Sequence, residues 1–573
     1  MNNATQAPDP LETVLRYHRE TKHHFSRYAR APGRMDWANQ PDPFRRFEGA
    51  PVIALPVLKP DGAPLSPFYE NLYRTGAIAS VPVTIGALSR FLEFALAISA
   101  WKQAGDVRWA LRSNPSSGNL HPTEGYLIID RVPGLSPFAG LYHYAAREHA
   151  LELRAELPQE GFSSLLRGFP PDAFLVGLTS VNWRETWKYG ERAFRYCQHD
   201  VGHAIGSTRV AARTLGWRML LLDGVSDDTV AALLGVDRIQ DFDRAEREHP
   251  DCLAVVWPAG LADAVSGGAT ESLPLFLADD AVRDATRCIW HGKANRLSRN
   301  DPLRWPLLDE VQVASHKTQS EHRFVAPSRS ARAATLPDAG ACGPGAGQLI
   351  RQRRSALAFD GETSIPAGRF FTMLERVMPR IECDPRSRPM PWDALPWEPA
   401  IHLALFVHRV DGLAPGIYLL ARDPGMAGSL KQSMRRPFAW TAPPGCPEDL
   451  PLFLLEEGDA RQLAAQLSCG QEIAGDSAFS LGMIAHFEAR LRLHGPWFYR
   501  RLFWETGLIG QVLYLEAEAA GVRATGIGCF FDDPVHQVLG FSDATFQSLY
   551  HFTTGGPVED PRLTTLPPYG LDH

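Results

Sequence analysis

The chain has 573 residues, more than one hydrophobic core usually supports, so we expect at least two core-bearing units. Its 58 Lys and Arg against 65 Asp and Glu give a net charge of −7, which argues against nucleic acid or an anionic membrane as a partner. The polar, acidic residues 1–12 do not look like a signal peptide, and no run of 18 apolar residues occurs. Together these features predict a cytoplasmic globular protein.

Eight cysteines are scattered along the chain without a Cys-x-x-Cys pair. This spacing fits reduced, structural thiols better than a disulfide framework or a zinc site, so no metal is predicted. The cysteines are Cys197, Cys252, Cys288, Cys342, Cys383, Cys446, Cys469 and Cys529.

A loop rich in turn formers and hydroxyl groups precedes the first clear strand. It contains Pro115, Ser116, Ser117, Gly118 and Asn119. One interpretation is a well-capped surface turn. The other is a ligand loop, because its backbone amides, hydroxyls and Asn amide could hold the polar edge of a ligand.

Part of the sequence recurs later in the chain at a constant offset. Both copies read as a helix that ends at a glycine, a short strand, an Asp-Asp turn and a second helix. The matched residues are Gly202, Gly216, Asp227, Asp228 and Gly235 in the first copy and Gly507, Gly521, Asp532, Asp533 and Gly540 in the second. Arg195 and Arg500 keep the same offset.

A second matched block, 131–135 against 409–413, keeps a different offset and is flanked by hairpin-like strands in both copies. Two such blocks predict two mixed helix-and-strand halves, at 1–263 and 346–573. Between them we expect a connector, 264–345, whose stretch rich in Ser, Ala, Pro and Gly at about 317–347 is a mobile linker.

The second half opens with a basic segment. Arg353 and Arg354, close behind Arg351, precede Ser355. Guanidinium forks beside a hydroxyl suit a phosphate group. The competing interpretation is a solvated basic helix face.

Together these motifs resemble the nitroreductase superfamily, and most closely its SagB/ThcOx-type branch of azoline dehydrogenases, over nearly the whole chain. In that superfamily two subunits hold FMN at their interface. The resemblance implies that Arg353, Arg354 and Ser355 bind the FMN phosphate. It also implies that the loop Pro115, Ser116, Ser117, Gly118 and Asn119 faces the cofactor from the other half. The strand Gly526, Ile527 and Gly528 would lie beside the flavin, and the C-terminal tail with Arg562 near the phosphate.

Each half keeps only one side of such a site. Carried back by the offset of the first block, Gly528 meets Asp223, whose charge would repel a phosphate or reduced flavin, and Gly526 meets the bulky Leu221. Carried forward by the offset of the second block, the Ser-rich loop meets 393–397, where its hydroxyl and Asn residues are absent. The expected fold is therefore α+β, with two tandem nitroreductase-like domains forming an intramolecular pseudo-dimer around one composite FMN site.

Lys188 and Tyr189 resemble the Lys-Tyr pair that SagB-type enzymes use in substrate deprotonation. The resemblance implies that one of the two takes a proton while hydride passes to the flavin. The alternative is a helix turn with a core aromatic and a solvated Lys.

Two further patterns are interpreted as structural. His199 and His203 lie four apart on a helix, but the intervening acid is Asp and no third ligand is evident, so packed histidines are favoured over zinc. The glycine-rich run 343–347 lacks the preceding strand of a dinucleotide loop and is interpreted as the end of the linker.

The main functional hypothesis is an FMN-dependent oxidoreductase of the SagB dehydrogenase type, in which hydride passes from a small or modified-peptide substrate to FMN in natural product biosynthesis. One alternative is an NAD(P)H-dependent nitro, quinone or ene reductase. Another is a non-catalytic flavin-binding or scaffold protein that binds a pathway partner. Substrate identity, reaction direction, electron acceptor and further oligomerisation are left open by the sequence.

Overall fold

The computed structural model describes residues 9–57, 66–259, 273–319, 343–380 and 388–570. The first eight helices are α1 Pro10–Glu20, α2 Ile85–Ala95, α3 Gln159–Leu165, α4 Asn182–Tyr189, α5 Ala193–Thr214, α6 Asp227–Leu234, α7 Asp279–Ala285 and α8 Pro306–Ala314. The next eight are α9 Ala346–Gln352, α10 Ala367–Arg376, α11 Ala427–Ser433, α12 Arg461–Leu467, α13 Ile473–Asp476, α14 Glu488–His494, α15 Phe498–Ala519 and α16 Asp532–Leu539.

The strands fall into two large antiparallel sheets and three small ones. The strands before the connector's end are β1 Phe47–Glu48, β2 Val52–Ala54, β3 Ile98–Ala104, β4 Val107–Arg112, β5 Thr123–Ile129, β6 Gly140–Ala145, β7 Ala150–Glu156, β8 Phe174–Ser180, β9 Trp217–Leu221, β10 His249–Pro258, β11 Ile289–Trp290 and β12 Lys293–Ala294. The later strands are β13 Ile365–Pro366, β14 Ile401–Val407, β15 Val410–Asp411, β16 Gly416–Leu420, β17 Leu452–Glu457, β18 Phe479–His486, β19 Arg523–Ile527, β20 Phe546–Gly555 and β21 Thr564–Leu566.

The two large sheets share one strand order. The first runs β7-β6-β5-β8-β10-β9, with β11 and β2 added at its β7 edge, and the second runs β17-β16-β14-β18-β20-β19. Central strands such as β5 and β14 are buried along their whole length because both faces are covered. The α+β class, with helices flanking antiparallel sheets, is as the sequence predicts.

The sequence repeat reappears as matched elements. Helices α5 and α15 have 22 residues each, and their first residues are separated by the same offset as Gly202 and Gly507. The eight-residue helices α6 and α16 keep this offset too. A left-handed glycine, Gly235 or Gly540, ends each of the shorter helices, which is the C-cap conformation that glycine adopts most easily.

Helices α5 and α15 cross at the centre of the molecule. The crossing point is Gly202 against Gly507: a Cβ on Gly202 would lie 2.3 Å from the Trp504 carbonyl oxygen, and one on Gly507 would lie 2.2 Å from that of His199. Only glycine permits this backbone approach. Nearly every residue of both helices is buried, as expected for helices packed between other layers.

Reciprocal ion pairs join the two halves around this crossing. Arg195 of α5 donates to Asp532 of α16 at 2.8 Å, and Arg500 of α15 donates to Asp227 of α6 at 2.6 Å. All four side chains are almost fully buried. The pairs connect equivalent positions, because the repeat matches Arg195 with Arg500 and Asp227 with Asp532.

A C-terminal strand links the halves further, whereas the connector belongs to the first half. Strand β21 pairs with β3, so the end of the chain completes a sheet built from the first half. The described part of the predicted connector is built into the first half: β11 pairs with β7, β12 pairs with β1, and α8 packs on α1. The centre of the predicted linker, 320–342, lies outside the described residues, as does Cys383. Among the described helices, none combines the length and apolarity needed to cross a membrane.

Candidate functional site

A cavity of about 500 Å³ opens between the two halves, a size typical of small-molecule and cofactor sites. One wall is the first-half loop Pro115–Asn119 with Tyr189 and Tyr196. The opposite wall comes from the second half, at 353–357, 526–529 and 558–560. The structure thus brings together, on one cavity, the loop, the arginine segment and the glycine strand, which are far apart in the sequence.

The first-half loop is held by hydrogen bonds from within its own half. Ser117 donates through its backbone N (3.0 Å) and its Oγ (2.8 Å) to the carboxylate of Asp200 on α5. The Ser116 Oγ accepts from the His121 backbone N at 2.8 Å, and the Asn119 amide donates to the Ala110 carbonyl oxygen at 2.9 Å. The shape of the loop is therefore fixed by hydrogen bonds within the protein.

Gly118 is the tightest point of the loop. It has a left-handed φ of +58°, and a Cβ there would lie 2.5 Å from the Tyr189 hydroxyl and 3.0 Å from the Lys188 Nζ. Glycine is needed for both reasons. The Lys-Tyr pair, at the C-terminal end of α4, thus packs directly behind the loop, with Tyr189 on the cavity wall and the Lys188 ammonium 5.2 Å from the Tyr189 ring centre.

Asp200 is a site residue that the sequence analysis missed, because it was considered only as part of a failed zinc helix. Burial raises the pKa of its carboxyl group to about 7, against the opposing effect of the Ser116 and Ser117 hydrogen bonds. Glu185 of α4 is also buried, its oxygens lack hydrogen-bond partners among the described residues, and burial raises its pKa. The serine that hydrogen-bonds to Asp200 lies far from it in the sequence, so no local sequence pattern indicates the contact.

The arginine segment follows α9 and faces the cavity. Arg353 donates to the Arg112 carbonyl oxygen at 2.8 Å and stacks on the Tyr514 ring, while its Nε has no partner among the described residues. Arg354 donates to the carbonyl oxygens of Arg351 and Arg353. Burial, followed by the neighbouring Arg353 charge, lowers the pKa of Arg354 to about 10. Both guanidinium groups are buried away from water and lie next to each other. Binding of an anionic group beside them in the cavity is therefore favoured.

Further charges at this end of the cavity come from segments that the sequence analysis did not single out. They are the cations Lys102, Arg112 and Arg523 and the acids Glu559 and Asp560. With Arg353 and Arg354, five cationic side chains face two carboxylates on the wall. The excess of positive charge fits an anionic group. These residues lie on the β3–β4 hairpin, on β19 and in the C-terminal tail, and the pairing of β21 with β3 helps to bring them together.

Ser355 joins the arginine segment to the glycine-containing strand. Its Oγ lies 2.8 Å from the Tyr514 hydroxyl, which accepts from the Gly526 backbone N at 3.0 Å. Ser355 also forms a parallel bridge with Ala524 of β19. The two second-half motifs therefore form one continuous surface.

The two glycines of this strand are crowded by protein rings. A Cβ on Gly526 would lie 2.0 Å from the Tyr550 hydroxyl, and one on Gly528 would lie 2.0 Å from the Tyr196 ring. Sequence reasoning attributed these glycines to the approach of a flat ligand ring. The structure adds a different cause, because two tyrosines occupy the space a side chain would need.

Arg562 does not lie on the cavity, contrary to its predicted position near a phosphate. Its side chain is 84% exposed and pairs with Asp560 at 2.7 Å. The short spacing between the two residues lets Asp560, which does line the cavity, hold the guanidinium outside it.

The equivalent position on the other side of the molecule is filled. Asp223, the counterpart of Gly528, pairs with Arg501, the counterpart of Tyr196, at 2.8 Å. The Arg501 guanidinium stacks 4.0 Å from the centre of the Trp504 ring. The space left there is about 10 Å³, too small for more than a water molecule.

The histidines of α5 are bonded to protein groups. The Nδ1 of His199 lies 2.9 Å from the Thr506 hydroxyl, and the Nε2 of His203 lies 3.2 Å from the Tyr550 hydroxyl. Within the described ranges, no cluster of three or more His, Cys, Asp or Glu side chains could hold a metal ion.

The large cavity has features that fit FMN. An arginine pair with an unpartnered Nε among the described residues, on a net positive wall, suits the phosphate. The fixed polar loop on the facing wall suits a ring edge with hydrogen-bonding atoms. The tyrosine-lined glycine strand offers an apolar face between them.

Residues 80–243 match the sequence model of the nitroreductase family. The matched stretch covers less than half of the chain. It includes the loop, the Lys-Tyr pair and helix α5. The chain is 27% identical over 161 residues to the candidate nitroreductase MJ1384 of Methanocaldococcus jannaschii, a match that covers 27% of this chain and 77% of that protein.

A second relative is the trifolitoxin-processing protein TfxB of Rhizobium leguminosarum bv. trifolii, 33% identical over 132 residues. That match covers 22% of this chain and 35% of TfxB, so the chain corresponds to about a third of that protein. Among solved structures, a candidate nitroreductase from Anabaena variabilis superposes with a TM-score of 0.65 at 21% identity, covering 95% of this chain and 99% of that one. The nitroreductase-like fold therefore extends over nearly the whole chain.

The family match and the fold support an FMN-dependent oxidoreductase. The predicted nitroreductase-like α+β fold is confirmed.

Proposed function

We propose that the chain is a SagB-type FMN-dependent dehydrogenase, formed by tandem duplication of a nitroreductase-like domain and holding one FMN between its halves. The observation that carries the proposal is the asymmetry of the two equivalent positions. One is a cavity of about 500 Å³ with an arginine pair on one wall and a polar loop on the other; its counterpart is closed by Arg501 and Asp223.

In this proposal each side chain has a defined part. Arg353, Arg354 and Ser355 hold the phosphate, and 526–528 line one face of the ring. Ser116, Ser117 and Asn119 offer polar groups to its edge, in a loop pinned by Asp200. The flavin, when bound, supplies the hydride acceptor.

In this proposal Lys188 and Tyr189 take part in the proton transfer that accompanies hydride transfer. Burial, followed by the nearby Glu185 charge, raises the pKa of Tyr189 well above its usual value, so the phenol keeps its proton at neutral pH. Tyr189, on the cavity wall, is therefore suited to donate a hydrogen bond or a proton to the substrate. The Lys188 Nζ lies 5.2 Å from the Tyr189 ring centre and is not part of the described cavity lining, so its proposed part in the proton transfer is through Tyr189.

The similarity to TfxB, a trifolitoxin-processing protein, favours a modified-peptide substrate and a partner from the same biosynthetic pathway. The alternative is an NAD(P)H-dependent nitro, quinone or ene reductase, which the family name and the match to MJ1384 support. Rapid anaerobic bleaching of the bound flavin by NAD(P)H would favour the reductase over the dehydrogenase. A folded protein that takes up no FMN would instead favour a scaffold.

The composite site is tested by FMN content and affinity. We expect about one FMN per chain, and about two would contradict a single site. Arg354→Ala, from the second half, and the double variant Ser116→Ala/Asn119→Ala, from the first, should each weaken FMN binding about tenfold or more, the scale of one lost charge-assisted or paired hydrogen-bond set.

Arg562→Ala is the matched control, because Arg562 is an arginine of the same region whose side chain is exposed outside the cavity. It should bind FMN as the unchanged protein does. If Arg354→Ala lost FMN while the first-half double variant retained it, the composite site would be wrong.

A further inference from the structure

Two cysteines meet at the rim of the cavity. The Sγ atoms of Cys469 and Cys529 lie 2.8 Å apart, although the residues are 60 positions apart in sequence. Cys529 directly follows Gly528, and Cys469 follows α12 in a left-handed backbone conformation with φ of +57°. The interpretation of the cysteines as scattered structural thiols did not anticipate this contact, because chain spacing carries no information about it.

The loop that carries Cys469 is tied to the strand that carries Cys529. The amide of Gln471 donates to the Cys529 carbonyl oxygen at 3.0 Å and to the Ser468 carbonyl oxygen at 2.8 Å. Arg192 donates to the Gly528 carbonyl oxygen at 3.2 Å. These hydrogen bonds hold the two backbone segments next to each other, and the two sulfurs are close for that reason.

The two thiols differ in acidity. The contact with Cys469, then His23 and Arg192, lowers the pKa of Cys529 to about 5, while the same contact raises the pKa of Cys469. A thiolate beside a protonated thiol is the arrangement of a reactive dithiol, in which the more acidic sulfur is the better leaving group. Asp532 and Tyr28 are the other ionisable groups close to the pair.

The pair is placed where electrons would need to leave the cofactor. Cys529 lines the cavity, and its backbone continues the 526–528 segment proposed to lie along the flavin. Both sulfur-bearing residues are only partly buried, so small molecules in solution can reach them. By contrast, Cys197 and Cys252 are buried, and the thiols of Cys288 and Cys446 contact carbonyl oxygens.

We propose that Cys469 and Cys529 form a reversible disulfide that accepts electron pairs from the reduced flavin and passes them to a low-molecular-weight disulfide. The proposal rests on the proposed function, and names the electron acceptor that the function requires. In the first step the Cys469–Cys529 disulfide takes up two electrons and two protons from the reduced flavin, so the S–S bond breaks and two thiols form.

In the second step the Cys529 thiolate attacks the external disulfide, releasing one thiolate and forming a mixed disulfide. Cys469 then attacks the Cys529 sulfur of this mixed disulfide, restoring the internal S–S bond and releasing the second thiolate. Over the cycle the flavin is oxidised by two electrons and one external disulfide is reduced to two thiols.

The first experiment uses the protein without FMN. It is equilibrated with oxidised glutathione, free thiols are alkylated, and peptides are mapped by mass spectrometry. We expect a Cys469–Cys529 linkage with the loss of two free thiols, reversed by reduced dithiothreitol. Cys446→Ser should behave as the unchanged protein, whereas Cys469→Ser should form no internal linkage. Full alkylation of both cysteines in oxidised buffer would overturn the proposal.

The second experiment uses the FMN-loaded protein, reduced without oxygen by one equivalent of dithionite. Adding oxidised glutathione should restore the flavin absorbance in the unchanged protein and in Cys446→Ser, and about tenfold or more slowly in Cys469→Ser. Equal rates of flavin reoxidation in Cys469→Ser and the unchanged protein would overturn the proposed electron transfer through the Cys469–Cys529 pair. A protein that binds no FMN would contradict the proposed function, while the thiol mapping would still decide whether the disulfide forms.

Discussion

At the scale of single residues, Asp200 connects the core helix α5 to the ligand loop. It accepts from both the backbone and the hydroxyl of Ser117, and it lies in a position without bulk water. The cost of burying its charge is only partly offset by these hydrogen bonds, which is why its pKa rises to about 7. The loop therefore depends on a carboxyl group whose charge changes near neutral pH.

This dependence predicts a pH effect on stability. In the folded state the pKa of Asp200 lies above its ordinary value of 3.8. The contribution of Asp200 to the free energy of unfolding is therefore fully present below about pH 4 and is lost as the pH rises through about 7. Asp200→Asn keeps an acceptor for Ser117 but does not titrate. The free energy of unfolding of the unchanged protein should fall relative to that of the variant between pH 4 and 8, by at most about 4 kcal/mol.

Urea unfolding at a series of pH values measures this difference directly. Comparing the two proteins removes the contributions of other buried acids such as Asp251 and Glu516, which titrate in both. Parallel stability curves for the two proteins would show that Asp200 carries no charge penalty in the folded state.

At the scale of elements, the crossing of α5 and α15 fixes how the two halves meet. The glycines at the crossing let the helix backbones touch, and the neighbouring side chains then reach across: His199 to Thr506, and Trp504 to Gln198 at 2.6 Å. Helix α5 also carries Tyr196 and His203 to the cavity wall, and Asp200 to the loop behind it. The geometry of the site is therefore set by the helix crossing.

Gly507→Ala should destabilise the protein by about 1–3 kcal/mol, because the added Cβ would lie 2.2 Å from the His199 carbonyl oxygen and force the helices apart. Gly428→Ala, in α11, is the control: a Cβ there meets no atom within 4 Å, so the change should be neutral or slightly stabilising. Denaturant unfolding of both variants checks this prediction. Equal stability of the two would mean that the crossing tolerates a wider separation.

At the scale of the whole molecule, the halves are joined by more than the chain. The reciprocal pairs Arg195–Asp532 and Arg500–Asp227, the packing of α5 on α15 and the pairing of β21 with β3 all cross between them. A buried pair costs most when one partner is removed, so these contacts oppose separation of the halves.

Cutting the chain between 319 and 343, at an introduced protease site, should therefore leave one complex that still binds FMN. Size-exclusion chromatography under native conditions should show a single species near the mass of the whole chain, with both fragments separating only in denaturant. Fragments that separate after the cut would show that the covalent connection, and not the interface, holds the site together.

The repeat and the chemistry of its motifs could be recognised from the sequence. The helix, strand and helix around Gly216 and Gly521 follow from periodic apolar residues and glycine caps, which act locally, and the structure contains them at the expected offset. The Ser-rich loop, the arginine segment and the glycine strand were recognisable because each is a short contiguous motif. Their meeting on one cavity follows in the structure from the helix crossing.

Which distant residues complete the cavity, and which do not, follows from the packing of the fold. Asp200, Lys102, Arg112 and the Cys469–Cys529 contact come from segments brought together by β-pairing and helix packing, which no local pattern records. For the same reason Arg562 was misplaced: its motif is local, but a neighbouring carboxylate holds it in solvent. Local propensities depend on nearby residues in the chain, whereas a site depends on distances that only the packed fold sets.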